Sequence, residues 1–502
     1  MIRKKIFGED HVNVAISYST LAPVHFNIGE YNQAKDLHEK ALMIYKKNFD
    51  EDHAHVATSL NNLALVNSTL GEYNKAKELQ EKALMIRKKV FGEDHANVAT
   101  SYSNLASVYS RLGEYNQAKE LNEKALVISK KIFGEKNAYV ARTYNNLAFV
   151  YNSLGKYNQA KELHEKALDI RKNIFGEDHA YVATSYHKLA SVYSSLGEDN
   201  QAKELHEKAL MIRQKIFGED HLYVATSYHK LASVYGSLGE YSQAKERHEK
   251  ALMIRQKILG EDHPYVATSY NNLASVYNSL GEYNRAKELN VKALMISQKI
   301  FGENHADVAT TYDNLASVYY SLGEYDQAKE LHEKAFMIYK HIFGEDHPDV
   351  ATSHSNLASV YNRLAEYNPA KERHEKALII RKKIFGEDHA YVAMSYHKLA
   401  SVYNRLGECS QAKELHEKAL MIRKNIFGED HAHVATSYHK LASVYNSLEE
   451  YNQAKEFHEK SLMIRKKTFD EDQAHVATKF HKLASVYNSL GEYNQAKELH
   501  EK

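Results

Sequence analysis

Apolar residues recur along this chain in two helical stripes within every 42 residues. In the copy that begins near Asp262, Val266, Ala267, Tyr270, Leu273, Ala274, Tyr277 and Leu280 stand at offsets 0, 1, 4, 7, 8, 11 and 14, the spacing of one helix face. Tyr283, Ala286, Leu289, Ala293, Leu294 and Ile300 follow at offsets 0, 3, 6, 10, 11 and 17, a second such face. The pattern predicts helix A from about Asp262, whose carboxylate can cap free amides, with Pro264 in the first turn where no donor is missed. Gly281 and Glu282 make a tight turn into helix B, and Gly302 suits a left-handed C-terminal cap. The column that starts at Phe7 returns at Phe49 and every 42 residues to Phe469, with Leu259 as a substitution and no insertion or deletion. The expected organisation is one continuous array over 1–502. A partial helix B occupies 1–14, eleven full units 15–476 and a partial final unit 477–502.

Such a helix pair cannot bury both stripes alone, so each copy must lean on its neighbours and the core is one ribbon. Ala274, Ala286 and Ala293 are small where helices approach, while Tyr270, Leu273, Tyr277 and Leu294 supply apolar area. The rest of helix B carries Lys and Glu, including Glu204 with Lys208 and Glu414 with Lys418, and reads as a solvated outer face. Pro23 is expected to bend or fray the first helix A. Met1 falls in the column of Met43, Met211 and Met295, and Lys502 stops within a helix B. Both ends therefore read as uncapped, and end-to-end self-association is expected.

Composition narrows the function. Lys and Arg total 66 against 65 Asp and Glu, a net charge of +1, so no overall field favours nucleic acid or a membrane surface. Cys409 is the only cysteine, which excludes an internal disulfide framework and fits a reducing compartment. No apolar run approaches the roughly 18 residues of a spanning helix, and Met1-Ile2-Arg3-Lys4-Lys5 leads straight into repeat sequence. A cytoplasmic protein is the expectation.

Tyr270, Leu273, Ala274, Tyr277, Gly281, Tyr283, Ala286 and Ala293 match the tetratricopeptide signature, with Tyr where many members have Trp. The 42-residue period and the loop Phe217 to His221 resemble the variety found in kinesin light chains, nephrocystin-3-like proteins and the sensor arms of some nucleotide-switch proteins. The resemblance covers the whole chain. It implies an all-α, right-handed superhelical solenoid of about 12 helix-turn-helix units that binds other proteins and is not an enzyme.

Helix A has one face that the core does not explain, formed by Thr268, Asn272, Ser275 and Ser279. Across copies its second column reads Thr20, Asn62, Asn104, Asn146, Lys188, Lys230, Asn272, Asn314, Asn356, Lys398, Lys440 and Lys482. The resemblance implies that this column lines a concave groove, with Asn holding a peptide backbone and Lys its acidic groups. Asn offers a donor and an acceptor together, and Lys three donors and a charge. Arg111, Arg363 and Arg405 add cations on the same face. The expected acidic-peptide contacts therefore cluster around Lys188 with Lys230 and from Arg363 to Lys482. The reading is a scaffold or kinesin light chain-like cargo adaptor. Motor attachment is not claimed, since no heptad-bearing segment precedes the repeats. The alternatives are a sensor arm of a larger nucleotide switch and a self-stacking structural array.

The 30 histidines fall into columns. One includes His11, His53 and His221 in the loop, another His38 and His206 on helix B, and a third sits beside groove lysines, as His187 does beside Lys188. Metal ligation needs several donors within about 2.1 Å of one ion, whereas equivalent residues of stacked helices lie roughly 10 Å apart, so no metal or other cofactor is expected. Protonation of the third column below about pH 6.5 would strengthen binding of acidic ligands. Catalysis is disfavoured because an active site is a unique constellation and nearly every Ser, His, Asp and Glu here belongs to a repeated column. Cys409 and Asp199 replace the tyrosine of the Tyr283 column. The thiol is expected to be a buried substitution and Asp199 to loosen its turn.

Overall fold

A computed structural model describes residues 2–468 and 474–501. Met1, Phe469 and Lys502, which mark repeat boundaries in the sequence, lie outside the described residues. A short helix, Ile2–Phe7, is followed by twelve helix pairs, from Val12–Asn27 with Tyr31–Asn48 to Ala474–Ser489 with Tyr493–Glu501. No strand occurs among the described residues. The packing divides the chain into two units, residues 1–344 and 345–502. The first holds copies one to eight and the second copies nine to twelve.

Within each copy helices A and B are antiparallel and joined by the predicted turn. In the seventh copy, Pro264–Ser279 is helix A and Tyr283–Phe301 is helix B. Gly281 takes φ +77° and lets Glu282 N donate to Tyr277 O at 2.8 Å, which closes helix A. Gly302 ends helix B at φ 78°, ψ 177°, extended rather than helical at ψ, a conformation open essentially to glycine alone. Two copies of the second unit break the turn rule: Ala365 and Glu449 hold φ of 59° and 62°.

Helix A starts one residue later than the sequence suggests. The cap is His263, whose Nδ1 accepts from Tyr265 N at 3.1 Å. Asp262 instead pairs with Lys299 of the following helix B. The same imidazole cap occurs at His11, His53, His95, His179, His221, His305, His347, His389 and His431, and Asn137 replaces it in the fourth copy. Phe49 and Phe301 stack on the capping rings of His53 and His305 at centroid separations of 4.1 and 4.0 Å. The Phe column is thus a platform for the cap.

Copies interlock through a valine that the apolar stripes omit. Val192 inserts between Ala148 and Ala160 of the preceding copy, Val234 between Ala190 and Ala202, and Val444 between Ala400 and Ala412. The alanines leave the gap and the next helix A fills it. Pro23 does not break its helix, which runs unbroken from Val12 to Asn27. The outer face of helix B is also less polar than its charges suggest, since Met43, Met85, Met211, Met253 and Met295 are all exposed.

In the first unit the chain returns onto itself after about six copies. His305 Nε2 lies 3.1 Å from Thr69 O across 236 residues of sequence, and Tyr31 and Tyr73 stack on Phe301 and Phe343. A Cβ added at Gly71 would come within 3.2 Å of the His305 ring, so the turn glycine also permits this approach.

Two substitutions test this packing. Leu273, 4 % exposed, should cost about 2 to 5 kcal/mol when changed to Ala, and hydrogen exchange should locate the loss in adjoining copies before distant ones. Ala365→Gly should add about 0.5 to 1 kcal/mol of stability in urea denaturation, because it removes a left-handed strain at an exposed turn.

Candidate functional site

Like helices touch directly only along the A layer to any extent. Helix A of the fourth copy (Ala138–Ser153) meets those of the third (Ala96–Arg111) and fifth (Ala180–Ser195), and in the second unit Ala390–Arg405 meets Pro348–Arg363 and Ala432–Ser447. Among the described residues no two B helices approach comparably. A stack of helix pairs is closer-spaced on its inner side, so within each unit the A helices form the inner layer.

The polar column of that layer is placed as follows. Asn62, Asn104, Asn146, Asn272, Asn314 and Asn356 are half-buried, as are Lys188 and Lys398, while Lys230, Lys440 and Lys482 are exposed. Arg111, Arg363 and Arg405 are exposed at the C-terminal ends of their helices. Neighbouring copies exchange amide contacts here: Asn104 Nδ2 donates to Asn61 Oδ1 at 2.7 Å, and Asn272 Nδ2 lies 3.4 Å from His229 Nδ1.

The cations of this layer differ from those outside. Outer lysines are paired: Lys35 with Glu72 and Lys455 with Glu492 of the next copy, Lys257 with Asp220 at the start of its own copy, and Lys418 with Glu414 along its own helix. Among the described residues Lys188, Lys230, Lys398, Lys440 and Lys482 have no carboxylate within ion-pair distance. Burial, with Arg381 nearby, pushes Lys398 down to about 8, and burial with Arg171 nearby lowers Lys188. Burial and the charge of Lys482 lower Lys440 as well.

A second set of cations, which the sequence reading did not single out, is buried. Arg87, Arg171, Arg213, Arg255 and Arg381 are each at most 8 % exposed. Arg213 Nη1 donates to Tyr223 O at 3.0 Å and Ser227 Oγ at 3.1 Å in the next copy, while Nη2 donates to Thr184 Oγ1 at 3.3 Å in its own. The arginine thus stitches copies through neutral acceptors, and burial lowers it to about 10. One signal in the sequence marks this column. Tyr45, Ser129, Ser297 and Tyr339 occupy it in other copies, which a solvated basic column would not require.

Of the histidines beside these lysines, His187, His397 and His439 are buried, whereas His229 is half-buried and His481 exposed. His187, 7 % exposed, points between the helices of its copy, with Nδ1 2.6 Å from His206 Nδ1 and Nε2 2.8 Å from Ser227 Oγ. His397 repeats this with His416 and Ser437. Elsewhere the same position joins Asn145 to His164 and Asp313 to His332, both at 2.6 Å. Two of the histidine columns therefore meet in pairs. No group of three or more His, Cys, Asp and Glu converges among the described residues. For His187, His397 and His439 the expected acid strengthening of ligand binding is corrected, since those rings are core groups. Cys409 is half-buried at the rim of its turn, with Sγ 3.4 Å from Asn404 Oδ1.

The tetratricopeptide repeat model matches ten stretches of the sequence, from 13–89 to 433–502. The chain belongs to the tetratricopeptide repeat family. As such it is a protein-interaction scaffold. No curated protein matches it at a significant level. Among solved structures it is similar to nearly identical TPR-like repeats of a Podosopora anserina protein described as a kinesin light chain, at 28 % identity over 41 % of this chain and 97 % of that one, with a TM-score of 0.35. BtubC from P. vanneervenii is 27 % identical over 46 % of this chain and 91 % of its own, with a TM-score of 0.37. A Rap protein complexed with competence and sporulation factor is 16 % identical over 74 % and 98 %, with a TM-score of 0.50, and shares the fold. No helix among the described residues of this tetratricopeptide array is long and apolar enough to cross a membrane.

The buried histidines make stability depend on acid. Burial lowers His206 and His248 to about 4 and His164, His229, His374 and His416 to about 3, and it holds His187 well below the ordinary 6.5 together with Arg213, His206 and Lys230. The unfolded chain takes up these protons near pH 6.5 and the folded chain only near 3 to 4. Stability is therefore complete above about pH 6.5 and lost progressively as pH falls below it. Urea midpoints should be flat from pH 8 to 7 and decline between pH 6.5 and 4.5. A midpoint constant across that window would contradict the neutral pairing.

Proposed function

We propose that this tetratricopeptide array is a scaffold that holds acidic peptide segments along its inner layer. One observation carries the reading: the groove-column lysines have no carboxylate within ion-pair distance among the described residues, while lysines of the outer face are paired within or between copies. A cation kept partly desolvated without a counter-charge is a place where an incoming carboxylate gains more than it would on an open surface. The half-buried Asn62, Asn104, Asn146, Asn272, Asn314 and Asn356 provide donors and acceptors for a peptide backbone between the basic stretches. Lys188 with Lys230 forms one stretch, and Lys398, Lys440 and Lys482 with Arg363 and Arg405 the other. The reading treats residues 1–502 as one continuous array, as the unbroken 42-residue register suggests, acting in the cytoplasm.

The test is a fluorescent acidic peptide array read against Lys188→Glu plus Lys230→Glu. Peptides rich in Asp and Glu should bind the native chain and lose about tenfold or more in affinity in the double variant, with binding that weakens as salt is raised. Circular dichroism should show an unchanged helical content. Equal affinity in the two proteins would sink the groove assignment.

A further inference from the structure

Arg142 departs from its column. Thr58, Thr100, Thr184, Thr226, Thr268, Thr310, Thr352 and Thr436 stand there in other copies. In three copies the threonine hydroxyl accepts from the arginine of the same copy: Arg213 reaches Thr184, Arg381 reaches Thr352 and the half-buried Arg465 reaches Thr436. In the fourth copy the acceptor is replaced by a second guanidinium. Arg171 keeps its Nη1 bonds to Tyr181 O at 3.1 Å and Ser185 Oγ at 2.9 Å and has no threonine for Nη2.

Both arginines border a cavity of about 300 Å³ lined by Ala138, Tyr139, Arg142, Arg171, Phe175 and Tyr181. The lining holds two positive charges, three aromatic rings and no carboxylate. Neither guanidinium has an ion pair among the described residues. Arg142 lies over the Tyr139 ring at 5.1 Å and Arg171 over the Tyr181 ring at 5.7 Å, so both cations are held by ring faces. Phe133 stacks behind Tyr139 at 4.9 Å and fixes that wall.

We propose that this cavity is an oxyanion pocket that takes a phosphate or carboxylate carried on a flat apolar stem, as on the side chain of a partner peptide. Two adjacent guanidiniums with open N–H groups match an anion with several acceptor oxygens, and the rings match the stem. Like charges forced together are relieved by such an anion, and Arg142 does add to the burial that lowers Arg171. The source of the anion rests on the peptide reading above, but the chemistry of the pocket does not.

The experiment is calorimetric titration of the full chain with phenyl phosphate, benzoate and inorganic phosphate, repeated on Arg142→Thr. That variant restores the residue of the neighbouring copies and so keeps the fold. Phenyl phosphate should bind the native chain and bind Arg142→Thr at least about tenfold more weakly. Benzoate binding with the same dependence on Arg142 would extend the pocket to carboxylates. Absence of phenyl phosphate binding at millimolar concentration, or equal binding in Arg142→Thr, would overturn the pocket. Inorganic phosphate binding as tightly as phenyl phosphate would overturn the role of the rings. If an unphosphorylated acidic peptide fails to bind while phenyl phosphate binds, the groove reading falls and the pocket stands.

Discussion

Each helix pair of this protein depends on burying against the next pair the apolar surface it cannot cover itself. The contact is a valine of one copy set between two alanines of the copy before it, as Val192 is between Ala148 and Ala160. A fully buried valine contributes roughly 1.5 to 3 kcal/mol, and the alanines contribute by leaving space rather than by filling it. Stability is thus distributed along nearest-neighbour interfaces, and no single copy holds a core of its own.

This constraint sorts the polar groups. Buried polar positions between helices A and B favour internal partners, and several copies supply them with His187 and His206, Asn145 and His164, or Asp313 and His332. The buried arginines solve the same problem between copies with carbonyl and hydroxyl acceptors. On the outside, ion pairs such as Lys257 with Asp220 tie helix B to the loop that opens its own copy but are solvated, and each contributes less than about 1 kcal/mol. Once stacking and capping are met, the inner lysines are left over. Among the described residues they have no carboxylate within ion-pair distance, unlike the lysines of the outer face.

Arg142 shows how function can enter an array of near-identical copies. Repetition makes most side chains copies of a structural solution, so information about a ligand lies in the departures. Most departures are absorbed by the frame: Asn137 caps as the histidines do, and Pro23 is carried within a continuous helix. Replacing a threonine acceptor by a guanidinium beside a buried arginine is not absorbed, and it leaves two cations and a cavity.

Local rules made much of this legible in the residues alone. The 3.6-residue stripes, the fixed 42-residue return and the glycines at Gly281 and Gly302 determine helices, turns and stacking, because each depends only on backbone geometry and on apolar surface that has nowhere else to go. What the residues do not reveal is direction. The sequence points to Asp262 as the cap, and only the fold shows that the imidazole of His263 takes it while the carboxylate reaches Lys299 in helix B of the same copy. His187 and Lys188 are neighbours in sequence, yet one turns into the core and the other does not, since successive residues of a helix face directions about 100° apart. The return of the first unit onto itself between Thr69 and His305 had no local signature, because superhelical closure sums small rotations at every interface along the way.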